Sequence, residues 1–181
     1  MISHDALLQR FNEAVDQWMA FLDHYSWEQL LLSPAPGAWS LGQLYMHLID
    51  DTAYHIEQMK AALLATGDSD KEMHPDAKAI FAREGFPDVS ITGPATYDSV
   101  SQPVNKAALL QGLEQVKYDV QQLLSATDIT QARGKTMHPG LHFFSAAEWL
   151  QFTTMHMQHH LRQKARIDRL INKNDQEWDR K

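Results

Sequence analysis

Apolar residues recur at helical spacing in four long stretches of the chain, and strand-like alternation never lasts more than a few residues. The first stretch runs from about Ser3 to Tyr25, with Leu7, Phe11, Val15, Trp18, Met19 and Leu22 on one face. A turn-rich link ending in Pro34-Ala35-Pro36-Gly37 follows it. The second helix is expected to begin at Ser40, where Gln43 completes a capping box and Trp39 with Leu44 forms a hydrophobic staple. It is expected to end near Thr66, with Gly67 as a left-handed stop. The third covers about Asn105 to Ala126 through Leu109, Leu113, Val116, Val120 and Leu124. The fourth begins at Ser145 and repeats the device at Ser40, with Glu148 completing the box and Phe144 with Trp149 the staple. Its expected end is near Asn172.

Between the second and third helices lies a connection of roughly 67–103 that holds Pro75, Pro87, Pro94 and Pro103. One short helix is expected inside it, from Asp76 to Glu84. A connection this long can span a bundle, which lets the helices on either side run in the same direction. The pattern therefore predicts an all-α four-helix bundle with a long crossover between helices two and three. It forms a single domain over 1–172, with a polar tail over 173–181.

Composition narrows the chemistry. Hydrophobic residues make up 44% of the chain and charged residues 22%, ordinary values for a folded domain. A net charge of −7 argues against gripping phosphate backbones, so no nucleic-acid partner is expected. The one basic stretch, Arg162, Lys164, Arg166 and Arg169, reads as a solvated helix flank. Without cysteine there is neither a disulfide nor a protein thiol nucleophile. The opening residues do not resemble a signal peptide, and no apolar run reaches the ~20 residues of a membrane span. A soluble, cytoplasmic protein with no membrane contact is the expectation.

Ten dispersed histidines raise metal or proton chemistry. On the wheel of the fourth helix, His156 and His160 fall on the core-facing stripe with Trp149, Phe152, Thr153, Gln163, Ile167 and Ile171. Rings four residues apart can reach one ion at ~2.0–2.1 Å. The alternative is a pair of core histidines satisfied by hydrogen bonds. His159 turns to the edge of the stripe and reads as a supporting or surface residue. His138 and His142 flank Pro139-Gly140, which places them in a loop where their spacing carries no fixed geometry. In the second helix His47 lies at the edge of the core stripe, near one line with Asp51 and His55. That edge faces either the groove between helices two and four or solvent.

Pro36-Gly37-Ala38-Trp39-Ser40 followed by His47 resembles the start of the second helix in DinB-like (DinB/YfiT) proteins. The run from His138-Pro139 through Ser145-Ala146-Ala147-Glu148-Trp149 to His156-Met157-Gln158-His159-His160-Leu161-Arg162-Gln163 resembles that family's fourth helix. The resemblance implies a bundle in up-down-down-up order. It also implies a divalent metal, zinc or nickel, on one histidine of helix two and two of helix four, here His47, His156 and His160. Asp51 and Gln163 would support those ligands from behind. His142 departs from the glycine often found there, which leaves the loop shape open and could bring another imidazole toward the site. Three histidines leave a coordination position for water or substrate. The resemblance implies a transferase that joins a low-molecular-weight thiol to an electrophilic small molecule. The alternatives are a metal-dependent hydrolase and a non-catalytic binder with a stress-response role. A homodimer fits the bundle, whose faces often pair.

Overall fold

The computed structural model describes residues 2–88 and 100–178. Pro94 of the connection and the last three residues of the expected tail lie outside these. Helix α1 spans His4–Leu22 and is capped by Ser3, whose side chain accepts from the Ala6 N–H. A short helix α2, Trp27–Leu31, follows with its own Ser26/Gln29 capping box. The periodic reading missed it because five residues are too few to show a period. Helix α3 covers Leu41–Leu64, with the predicted Ser40/Gln43 box formed in both directions. Helix α4, Pro75–Ala82, sits inside the connection, and α5 spans Lys106–Ala126 from an Asn105 cap. Two four-residue strands, β1 (Lys135–His138) and β2 (His142–Ser145), then lead into α6, Ala146–Trp178.

Three expectations need correction. The second helix ends at Leu64, with Ala65 as an extended cap, and Gly67 is not its left-handed stop: the left-handed residue of that turn is Asp68, at φ +60°. The last helix does not stop near Asn172 but continues to Trp178, since no glycine or proline between those positions breaks it. His138 and His142 are not loop residues: they are paired partners at the tip of an antiparallel hairpin. Strands this short leave no alternation to detect, and the hairpin is secured by tertiary bonds. Thr136 Oγ1 donates to the Gln58 carbonyl at 3.3 Å and accepts from Trp149 Nε1 at 2.8 Å.

Helix directions follow from which residues meet. Trp18 Nε1 donates to the Met157 carbonyl (3.2 Å) and Tyr25 Oη to Asp168 (2.6 Å), so α1 and α6 are parallel. Lys117 pairs with Asp16 and Gln121 with Asn12, so α5 runs antiparallel to α1. His47 meets His160 while His55 meets Thr153, so α3 runs antiparallel to α6. Gly112 lies so close to Ile49 that an added Cβ would come within 2.8 Å of its side chain, and α3 and α5 are parallel. The order is up-down-down-up. It requires a connection that returns the length of the bundle. The end of that connection docks where α3 begins: Pro103 packs on Gly42, and the Ser40 hydroxyl donates to Gln102 Oε1 at 2.8 Å. Phe11, Val15, Trp18, Leu44, Tyr45, Leu48, Leu113, Val120, Trp149 and Met157 fill the centre and are almost wholly inaccessible. None of the described helices is long and apolar enough to cross a membrane.

Candidate metal centre

The antiparallel contact of α3 with α6 decides which way His47 faces. It places the ring, only 5% exposed, opposite His156 and His160. His47 Nε2 lies 3.1 Å from His160 Nε2, which lies 3.0 Å from His156 Nε2. One donor atom from each histidine falls within 4.8 Å of the others, and no other such cluster of three occurs among the described residues. Two nitrogens that share a tetrahedral ion at ~2.0–2.1 Å stand ~3.3 Å apart, so the observed spacing is near that of a ligand set.

The outer ring nitrogens show what the inner ones carry. Gln163 Oε1 lies 2.9 Å from His160 Nδ1 and can only accept, so Nδ1 holds the proton and Nε2 presents a lone pair. Asp51 Oδ1 sits 3.5 Å from the outer Nδ1 of His47, while its Oδ2 lies 3.8 Å from the inner Nε2 of His156. Such partners orient ligating imidazoles and raise their basicity toward a cation. Lone pairs converging in a buried place repel one another unless something positive lies between them. The donor set therefore fits a divalent ion with affinity for imidazole, such as zinc or nickel.

Burial keeps these rings neutral. It pushes His47 down to about 4 and His160, next to His47, down to about 3. His156 is held well below the ordinary histidine value, first by burial and then by His160. His55, which the wheel placed only near the line of His47 and Asp51, is also buried and lowered to about 3 by burial. The Thr153 hydroxyl donates to the Trp149 carbonyl (2.8 Å) and faces His55 Nδ1 at 3.1 Å. An unfolded chain takes up protons on these histidines below about pH 6.5, and the native state refuses them. Stability of the metal-free protein is thus expected to be level above pH 7. It should fall between about pH 6.5 and pH 4, by up to ~1.4 kcal/mol per pH unit for each buried ring. Urea titrations across that range check this, and a flat profile would contradict neutral burial.

The crossover covers this face. The Phe86 ring lies 4.8 Å from that of His159, 5.5 Å from Phe152 and 6.2 Å from His156. Arg162 holds it there by donating to the Phe86 carbonyl at 2.9 Å. The sequence offered no sign of Phe86, because this contact joins residues far apart in the chain. His159 is turned to the flank, as its wheel position predicts, with Nδ1 3.0 Å from Arg162. His142 does not approach the triad. Its ring lies 4.9 Å from His74 at the hairpin end, and its φ of +66° is the left-handed backbone that favours glycine. His138 stacks on Trp149 with ring centroids 5.3 Å apart.

Among solved structures the chain is similar to YfiT from Bacillus subtilis, with a TM-score of 0.63 and 16% identity, over 95% of this chain and 91% of that one. That protein is described as a probable metal-dependent hydrolase with an unusual four-helix bundle topology. At this identity the likeness establishes the shared fold. No curated protein sequence matches the chain significantly. The DinB superfamily model matches residues 10–163, a span that includes His47, His156 and His160, and the chain belongs to that superfamily.

Proposed function

We propose that this chain holds a divalent metal, zinc or nickel, on His47, His156 and His160 and joins a low-molecular-weight thiol to an electrophilic small molecule. The observation that carries the metal assignment is the meeting of three Nε2 atoms in one buried place, 3.0 and 3.1 Å apart along the chain of contacts. Gln163 and Asp51 keep the outer faces of His160 and His47 engaged, which aims the inner lone pairs at one point. When bound, the ion supplies positive charge that stabilises the deprotonated form of a thiol or water beside it. The chain has no cysteine, so the nucleophilic sulfur belongs to the cosubstrate. Transfer forms a carbon–sulfur bond as the electrophile's bond to its leaving group breaks; the leaving group departs with the electron pair (as chloride from monochlorobimane), and the thiol proton passes to solvent. Phe86, Phe152 and Trp39 supply apolar walls near the triad, which suit an electrophile with an apolar body. In this proposal the protein works in the cytoplasm as a homodimer.

Hydrolysis is the second reading, favoured by the description of YfiT and by the same three-histidine geometry. Zinc- and nickel-loaded protein assayed with monochlorobimane and a panel of small thiols separates the two. Thiol-dependent turnover that falls to background in His156→Ala is the expected result. Ester or amide cleavage without thiol would replace transfer by hydrolysis. Bound metal with neither activity would make the protein a binder.

A further inference from the structure

His47 is 5% exposed, His160 8% and His156 14%, which leaves a hydrated ion almost no surface by which to reach their nitrogens. Something beside them has to move for the site to fill. Three aromatic rings stand against the triad: Trp39 on His47 at 5.1 Å, Phe152 on His156 at 6.1 Å, and Phe86 on His156 at 6.2 Å. Phe152 is part of α6 and almost wholly buried. Trp39 directly precedes Ser40, which is fixed by its capping box and by Gln102. Phe86 is half-buried and belongs to no helix or strand.

The chain leading to Phe86 is built as a hinge and an arm. Helix α4 ends in a Schellman turn, with the Glu84 N–H on the Phe81 carbonyl (3.1 Å) and the Gly85 N–H on the Ile80 carbonyl (3.0 Å). The left-handed position of that turn, at φ +51°, is held by Glu84 rather than by glycine, so the turn is strained. Gly85 follows, the residue type with the widest choice of backbone angles. Pro87 then restricts Phe86 toward extended backbone, which stiffens the arm. The fastenings are light. Arg10 pairs with Glu84 at 3.3 Å and Arg162 with Asp88 at 3.5 Å, and both pairs are exposed enough to contribute little. The Arg162 bond to the Phe86 carbonyl, at 2.9 Å, is better protected.

We propose that residues 84–88 are a gate on the histidine site: the arm of Phe86 and Pro87 swings about Glu84 and Gly85, and its opening admits the ion. The gate rests on the metal assignment above and is independent of the reaction the metal serves. Closure returns Phe86 to the rings of His159, Phe152 and His156, and its carbonyl to the Arg162 guanidinium. Lid hinges are a few element-terminal residues of this kind, and an open state populated at about 1–10% suffices for a gate. Exchange of the ion is then slowed in both directions by that fraction. Its equilibrium affinity is unchanged, because the arm donates no ligand and closes alike over the empty and the filled site.

Zinc release from the loaded protein into an excess of a chromophoric chelator, and zinc uptake by the metal-free protein, test this. Phe86→Ala removes the cover and Arg162→Met its fastening. Both are expected to speed release and uptake together, by about 10- to 100-fold for Phe86→Ala, with the dissociation constant unchanged. Gly85→Ala should act in the opposite sense. Among the described residues nothing lies within 4 Å of the methyl it would add, and Gly85 is not left-handed, so the closed turn is retained. The lost hinge freedom should slow both directions by about two- to fivefold. Wild-type exchange rates in folded, zinc-binding Phe86→Ala overturn the gate alone. Faster release with weaker binding and unchanged uptake also overturns it, since the ring would then hold the site together rather than close it. A wild type that takes up no zinc overturns the metal assignment and the gate with it.

Discussion

Replacing His160 with alanine is expected to reduce bound metal from about one equivalent to a trace, measured by elemental analysis of untagged protein after equilibrium dialysis. His160 is the middle member of the cluster, with its Nε2 within 3.1 Å of both other rings. A structural zinc site is worth ~10–16 kcal/mol, and dividing that among three or four ligands gives a loss on the order of 10²–10⁴ in affinity. Gln163→Leu, which removes only the acceptor on Nδ1, should cost ~10–100-fold. His159→Ala should leave stoichiometry unchanged, because that ring is turned to Arg162 and Phe86. The variant without His160 should remain folded, since deletion also removes lone-pair repulsion. Full metal occupancy in folded His160→Ala would return these residues to the status of core histidines.

Trp18→Ala separates folding from the site. The indole is 1% exposed, packs edge-on against Tyr45 at 5.2 Å, and donates to the Met157 carbonyl across the bundle. Tyr45 in turn donates to the Trp18 carbonyl at 2.9 Å. Truncating a buried tryptophan costs ~3–5 kcal/mol through lost transfer energy and the cavity left behind. For a domain of this length that lowers the melting temperature by roughly 10 °C. Trp18→Phe keeps most of the volume and should lose much less. Both variants should still bind one equivalent of metal when folded, because Trp18 touches α6 at Met157 and not at a ligand. A loss under ~1 kcal/mol for Trp18→Ala would mean the centre of the bundle collapses around the gap.

The helices could be located in the sequence because their signals are local. Ser40 with Gln43, and Ser145 with Glu148, satisfy backbone groups within one turn, and the same bonds are present in the fold. The Phe144–Trp149 staple forms with ring centroids 5.2 Å apart. His156 and His160 likewise belong to one stripe of one helix, so their partnership depends only on the helical repeat. The hairpin and α2 were hidden for the opposite reason: each is too short to carry a period, and both depend on what they pack against.

His47 marks the boundary between these cases. Its wheel position allows solvent or groove, and residues 113 apart had to be brought together before one was chosen. The antiparallel packing of α3 on α6 makes that choice. The return of the crossover then places Phe86 over the flank of α6 that carries His159 and Arg162. His142 shows the same division at the backbone: its departure from glycine is visible in the chain, but only the hairpin imposes a φ of +66° and turns its ring toward His74. Helix positions, caps and the histidine pair on α6 were thus determined by the sequence itself, because neighbours along the chain supply the forces that set them. The third imidazole and the Phe86 cover beside His156 were decided by tertiary structure, because their geometry exists only once distant segments share a core.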